Sequence, residues 1–159
     1  MSAFGRKQYA FESGKKGSGA MRTQFGALCY RMSQGKPQVL LITSRTTRRW
    51  IIPKGWPIKG LAPEKAAAQE AWEEAGVRGK VKDLCAGVYG YTKIGEKPGE
   101  ADLPCMVAVF PLKVKSLASV FPERKERKRR WFTPKQASKR VQEAELREIL
   151  ANFDPRALR

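Results

Sequence analysis

The amino-acid sequence predicts an α/β domain with a mixed sheet lying between helices. Three observations carry that expectation. Stretches of strand character stand on both sides of one punctuated helical stretch in mid-chain, and helical patterns close the chain at its C-terminal end. A length of 159 residues with 42% hydrophobic content also suits one domain able to bury a core.

Residues 1–20 are rich in Gly, Ser and Lys and poor in aliphatics, which predicts a basic, flexible N-terminal arm ahead of a domain over 21–159. The segments "QFGALCYRM" and "QVLLITSR" read as strands flanking "SQGKP", whose Gly and Pro mark a turn. "WIIP" is a further short extended piece, after which Pro53, Gly55, Pro57, Gly60 and Pro63 hold a loop open. The helix that follows has Pro63 near its first turn, where a missing N–H costs little, and Gly76 as a left-handed stop. "KVKDLCAGVYGYTK" and "LPCMVAVFPLKV" read as strands separated by the polar loop "IGEKPGEAD". The basic run "ERKERKRR" leads into "WFT", and "PKQASKRV" and "EAELREILANF" are helical in pattern. There is no internal repeat.

Charge narrows the partners. Lys plus Arg number 32 against 15 Asp plus Glu, a formal net charge of +17. Such an excess favours polyanions: nucleic acid, nucleotides, inositol phosphates or an acidic membrane surface. The absence of histidine excludes a Ser/His/Asp triad, a Cys/His pair and histidine-ligated zinc. Cys29, Cys85 and Cys105 lie apart in apolar runs and read as reduced core residues, favouring a cytoplasmic location. No apolar run is long enough to span a bilayer, and residues 1–20 lack the apolar centre of a signal peptide, although a basic transit peptide stays open.

Against that basic background, Glu70, Glu73 and Glu74 fall within roughly a 100° arc of the predicted helix surface. Ala67, Ala68, Ala71 and Ala75 supply small side chains elsewhere around it. Like charges so close repel unless solvent screens them or a cation sits among them. An oxygen-only cluster of this kind takes a hard cation, Mg²⁺ or Mn²⁺, whose remaining positions go to water and substrate phosphates. Spacing alone favours a solvated acidic face over a metal site.

The whole stretch from Gly55 to Val77 resembles the Nudix box, G-x5-E-x7-R-E-U-x-E-E-x-G-U, with U a bulky aliphatic. Gly55, Glu70, Glu73, Glu74, Gly76 and Val77 stand in register with it. The chain departs at Leu61 (Glu in the box), Gln69 (Arg) and Ala71 (aliphatic). Leu61 and Gln69 remove two charges of opposite sign together, as expected if the two support each other, and Gln69 keeps a donor for a neighbouring carboxylate. The segments "ALCYR", "VLLITSR", "RRWIIPKG", "EEAGVRGKV" and "RKRRWFT" look like the diphosphoinositol polyphosphate and diadenosine polyphosphate hydrolase branches of the family.

The resemblance implies a Nudix-type α/β/α sandwich and metal-dependent hydrolysis of a phosphoanhydride in a polyanionic small molecule. It implies metal at Glu70, Glu73, Glu74 and the Gly55 carbonyl. The base is Glu73 or a glutamate of the loop before "WF", where Glu126 is preferred to Glu123, and Glu74 belongs to the catalytic set. The cation-rich segment before the box supplies Arg45, Arg49 and Lys54 for substrate phosphates. Two alternatives remain: an enzyme removing pyrophosphate from RNA 5′ ends, and a noncatalytic RNA-binding protein on the same scaffold, using the 123–130 run.

Overall fold

The computed structural model describes residues 21–158, so the predicted arm over 1–20 lies outside the described residues. Strands β1 (Arg22–Ser33) and β2 (Lys36–Thr43) form a hairpin. Its two turn residues, Gln34 (φ 51°) and Gly35 (φ 77°), are both left-handed, the conformation that matches hairpin twist. After them come β3 (Trp50–Ile51), β4 (Lys54–Gly55), α1 (Pro63–Ala75), β5 (Val77–Val81), β6 (Gly87–Lys93), β7 (Leu103–Leu117), β8 (Arg129–Phe132), α2 (Pro134–Arg140) and α3 (Ala144–Ala151). A short 3₁₀ helix spans Pro155–Ala157.

The eight strands of the described residues join one mixed sheet, with β3-β2-β1-β7-β5 as its main path. The long strands β1 and β7 run parallel at its centre, and the other pairings are antiparallel. Alternation along the central strands sorts their side chains onto two buried faces. Leu28, Tyr30, Val39, Leu41, Val107 and Val109 pack with α2 and α3 through Ala137, Leu146 and Leu150. Ala27, Cys29, Leu40, Ile42, Ala108 and Phe110 pack with α1 through Ala66, Ala67, Ala71 and Ala75. The result is the expected α/β/α sandwich.

Helix α1 is built to lie close to the sheet. Its four inward alanines are fully buried, and the lack of longer side chains there brings the helix backbone near β1. Pro63 occupies the first turn, and Gly76 (φ 66°) ends the helix by donating its N–H to the Ala71 and Trp72 carbonyls. Cys29 and Cys105 are buried, Cys85 is half-buried, and all three are free thiols. No helix among the described residues is long and apolar enough to cross a membrane.

Two expectations need correction. The loop expected from Pro53 contains a strand, because Lys54 and Gly55 pair with Gly26 and Phe25 of β1. The single strand expected over "KVKDLCAGVYGYTK" is two, β5 and β6, laid end to end along β7. Pro111 explains the break. Its oxygen accepts the Lys82 N–H, but it has no N–H to return on that side, so the chain leaves the ladder until Ala86 donates to the Val109 oxygen.

Candidate active site

Pairing of β4 with β1 and the close seat of α1 place the Lys54–Gly55 backbone against the carboxylate face of the helix. A cleft of about 380 Å³ opens there. Glu70, Glu74 and Glu123 line it together with Arg45, Lys54, Lys93 and Arg127.

Glu74 is the most tightly held of the acids. It is only 7% exposed. Its Oε1 accepts the Lys54 backbone N–H at 3.0 Å, and its Oε2 accepts from Arg127 Nη2 at 3.1 Å. Burial pushes its carboxyl above the usual range, against the opposing pull of Arg127 and the Lys54 N–H. The Arg127 guanidinium is equally enclosed, with its side chain 7% exposed. It reaches Glu123 Oε1 through Nη2 at 3.0 Å and Nε at 3.2 Å, and it donates from Nη1 to the Thr43 carbonyl at 3.1 Å. One guanidinium thus ties together α1, the end of β2 and the segment before β8.

That segment wraps the C-terminal end of α1. Ala118 N–H donates to the Gly76 oxygen, Glu123 N–H to the Glu73 oxygen, and Arg129 Nη1 to the Ala75 oxygen at 2.7 Å. A cation on the final carbonyls also suits the negative end of the helix dipole.

Glu70 differs from Glu74. It makes no hydrogen bond or ion pair among the described residues. A Cβ on Gly55 would land on its carboxylate, so only glycine leaves room for it there. Burial first, then Glu74, Glu73 and Glu123, raise the Glu70 carboxyl from 4.5 to about 7, with Arg127 opposing. Burial also lowers Lys54, whose ammonium lies 4.8 Å from the centre of the Tyr91 ring.

Among the described residues no three acidic or cysteine side chains gather closely enough to hold a metal ion. The donors nonetheless fit a hard cation in kind, since Glu70, Glu74 and Glu123 offer oxygen alone and Glu70 is free of partners. Arg127 is the cation that Glu74 and Glu123 share.

Of the residues singled out from sequence, the cleft brings together Arg45, Lys54, Gly55, Glu70 and Glu74. Glu73 is not among the residues lining it and accepts from Gln69 Nε2 at 3.0 Å, so Gln69 does serve a carboxylate. Leu61 is 43% exposed. Arg49 points elsewhere, into a 2.6 Å pair with Glu143. Of the two loop glutamates Glu123 lines the cleft, whereas Glu126 lies 48% exposed beside Arg45 at 3.9 Å. Sequence reasoning passed over Lys93 and Arg127 as site residues. For Arg127 a signal existed, a basic run just ahead of a "WF" strand, but nothing in it distinguished one arginine from its neighbours.

A mixed sheet sandwiched by helices, with the carboxylates of the mid-chain helix turned to a cationic cleft, is the Nudix-type architecture. The chain belongs to that family: the NUDIX domain matches residues 22–153. It is 37% identical over 103 residues to the mitochondrial Nudix hydrolase 12 of Arabidopsis thaliana, covering 64% of this chain and 51% of the relative. It is 33% identical over 117 residues to mouse diphosphoinositol polyphosphate phosphohydrolase 3-alpha, covering 72% and 66%. The chain spans about half the length of the plant relatives it matches. Among solved structures, a C. elegans Ap4A hydrolase binary complex superposes with a TM-score of 0.58 at 22% identity, covering 81% of this chain and 92% of the other. Nudix hydrolases in general use divalent metals.

Two outcomes follow from the geometry. Because Glu70 titrates higher folded than unfolded, the folded chain holds more protons between about pH 4.5 and 7. Metal-free stability must therefore fall as pH rises through that window, with Glu74 shifted in the same sense. Urea titrations in chelator across it should show the fall, and Glu70→Gln should reduce its slope; an unchanged slope removes Glu70 as its source. Arg127→Met should cost roughly 3–5 kcal/mol, the scale of breaking a buried pair. The cost should shrink in a Glu74→Gln background, with a coupling of roughly 0.5–3 kcal/mol. Additive effects would mean that the two groups do not support each other.

Proposed function

We propose that the chain hydrolyses a phosphoanhydride bond in a diphosphoinositol polyphosphate or a nucleoside polyphosphate, using Mg²⁺ or Mn²⁺. The observation that carries this reading is the cleft itself, with three carboxylates and four cations lining one hollow. Phosphate oxygens between a carboxylate-held cation and Arg or Lys neutralise both excesses of charge. Glu70 and Glu74, with the Gly55 carbonyl, would hold the cation, which supplies Lewis acidity toward phosphate and a more acidic water.

Arg45, Lys54 and Lys93 receive the substrate's phosphates; Arg45 Nη1 stands 3.9 Å from Glu123 Oε1, and the Lys54 backbone is fixed by its bond to Glu74. Glu123, lining the cleft and steadied by Arg127, is the acceptor for the proton of the attacking water, in preference to Glu73 or Glu126. The two aromatic rings of the cleft already carry cations, Arg22 5.1 Å from the Trp56 centroid and Lys54 4.8 Å from that of Tyr91. Cations on both rings suit a phosphate-dense substrate better than an adenine, which favours the diphosphoinositol class. The mouse relative named above supports the same choice.

The 123–130 run serves the RNA readings only in part, since its arginines are partly engaged within the fold. Arg127 is spent on Glu74 and Glu123, Arg129 caps α1, and Arg130 lies over the Trp50 ring at 5.5 Å. Arg124, Lys125, Lys128 and Arg130 are exposed, so the run divides between internal wiring at Arg127 and Arg129 and a solvent-facing basic surface.

A turnover panel with Mg²⁺ and Mn²⁺ tests the reading, using diphosphoinositol polyphosphates, diadenosine polyphosphates, nucleoside triphosphates, ADP-ribose and triphosphorylated RNA. Preference for the first class is expected; preference for RNA would overturn it. Glu74→Gln should lower kcat by roughly 10² or more, because a neutral amide no longer holds a cation's charge. Near wild-type turnover at saturating Mg²⁺ would remove Glu74 from the reaction. Arg45→Ala with Lys54→Met should raise KM more steeply for substrates with more phosphates, whereas Arg49→Ala, whose side chain faces Glu143, should not. Equal effects across substrates would displace the phosphates from this wall.

A further inference from the structure

A second hollow, of about 460 Å³, lies on the α2–α3 side of the sheet, away from the cleft. Lys80 of β5, Lys82 just after that strand, Lys113 from β7 and Arg156 from the 3₁₀ helix surround it, over a floor that includes Tyr30 and Leu158. Gln24 in the cleft and Tyr30 here are six positions apart along β1, about 20 Å at the rise of a strand. No acidic side chain among the described residues lines it. Two carboxylates adjoin it in sequence: Asp83, next to Lys82, and Asp154, which is paired with Arg156 at 3.0 Å.

Lys80 and Lys113 are direct cross-strand partners in the β5–β7 ladder. Like charges directly opposite one another destabilise a sheet, and no ion pair among the described residues offsets the repulsion of these two exposed lysines. Lysine on β5 alone would be explained as protection of an exposed edge strand. That explanation does not extend to Lys113, which sits on the inner strand β7, or to Arg156, which reaches the same hollow from beyond α3. The hollow is also held in shape. Lys82 Nζ donates to the Leu158 carbonyl at 2.7 Å, and Tyr30 packs edge-on against Phe153 with ring centroids 5.2 Å apart.

We propose that this hollow is a second anion site, distinct from the cleft, which binds a short polyphosphate through Lys80, Lys113 and Arg156. Its concave shape and its volume suit a compact anion of two or three phosphates rather than an extended strand. Tyr30 is only 5% exposed, so its ring offers no stacking face and recognition rests on the phosphates. Bound phosphate would remove the repulsion between Lys80 and Lys113, which gives the site its signature in stability.

The test uses the full chain in chelator, with inorganic tripolyphosphate as the probe and sodium sulfate of equal ionic strength as the control. At saturation, tripolyphosphate should raise Tm by roughly 5–10 °C beyond sulfate. Lys80→Gln with Lys113→Gln should raise the Tm of the ligand-free protein and cut tripolyphosphate affinity about tenfold or more. Arg45→Ala with Lys54→Met, in the cleft, should leave that affinity in place. ATP binding as tightly as tripolyphosphate would agree with recognition of phosphates alone. An unchanged tripolyphosphate response in the double glutamine variant overturns the site, and so does loss of the response only in the cleft variant. Binding of single-stranded RNA much tighter than tripolyphosphate, at equal phosphate concentration, overturns the assignment to a compact anion. None of these results depends on turnover, so failure here and failure of the proposed hydrolysis are separable.

Discussion

The buried carboxylate of Glu74 is the constraint on which the site depends. An ionised group in such a position costs several kcal/mol of desolvation unless its oxygens are satisfied. Each of its oxygens has a donor, from β4 and from Arg127. Satisfying Glu74 therefore fixes three things at once: the height of α1 over the sheet, the position of the Lys54–Gly55 backbone, and the path of the segment before β8. The alanine face of α1 is what allows the first of these, since bulkier residues would lift the helix and with it the carboxylate.

Glu70 shows what happens beside such a hub. It shares the face of α1 but has no donor of its own, so burial and its acidic neighbours hold its carboxyl near neutrality. The arrangement divides the labour between two glutamates four residues apart on one helix. Glu74 is spent on architecture as well as on the cleft, while Glu70 is left with its charge uncompensated and its approach cleared by Gly55. A group so placed gains most from an added cation, which is the physical content of a metal-ligand assignment.

Much of this was legible in the sequence. Pro63 and Gly76 bounded α1, and the register of Gly55, Glu70 and Glu74 placed backbone and carboxylates in one cleft. What escaped was long-range pairing. Local pattern assigns Arg49 to substrate phosphates and leaves Arg127 in a basic run, yet the first goes to Glu143 and the second to Glu74. Partners 94 and 53 positions away leave no trace in spacing. The break between β5 and β6 escaped for the same reason, because the proline responsible sits on the neighbouring strand.

The same distinction bears on the altered box. Leu61 and Gln69 remove a pair of charges from the helix and the loop before it, but the structure does not leave the glutamates without a cation. Arg127 supplies one from outside the box and carries with it the segment over 118–129, whose backbone and Arg129 close on the end of α1. Support that local pairs on a helix would provide at a few tenths of a kcal/mol each now comes from a buried, multiply bonded guanidinium. Loss of the two box charges is thus compatible with an ordered carboxylate face, at the cost of making that face depend on a tertiary contact. The box becomes readable as intact or degenerate only once the partner of Glu74 is known.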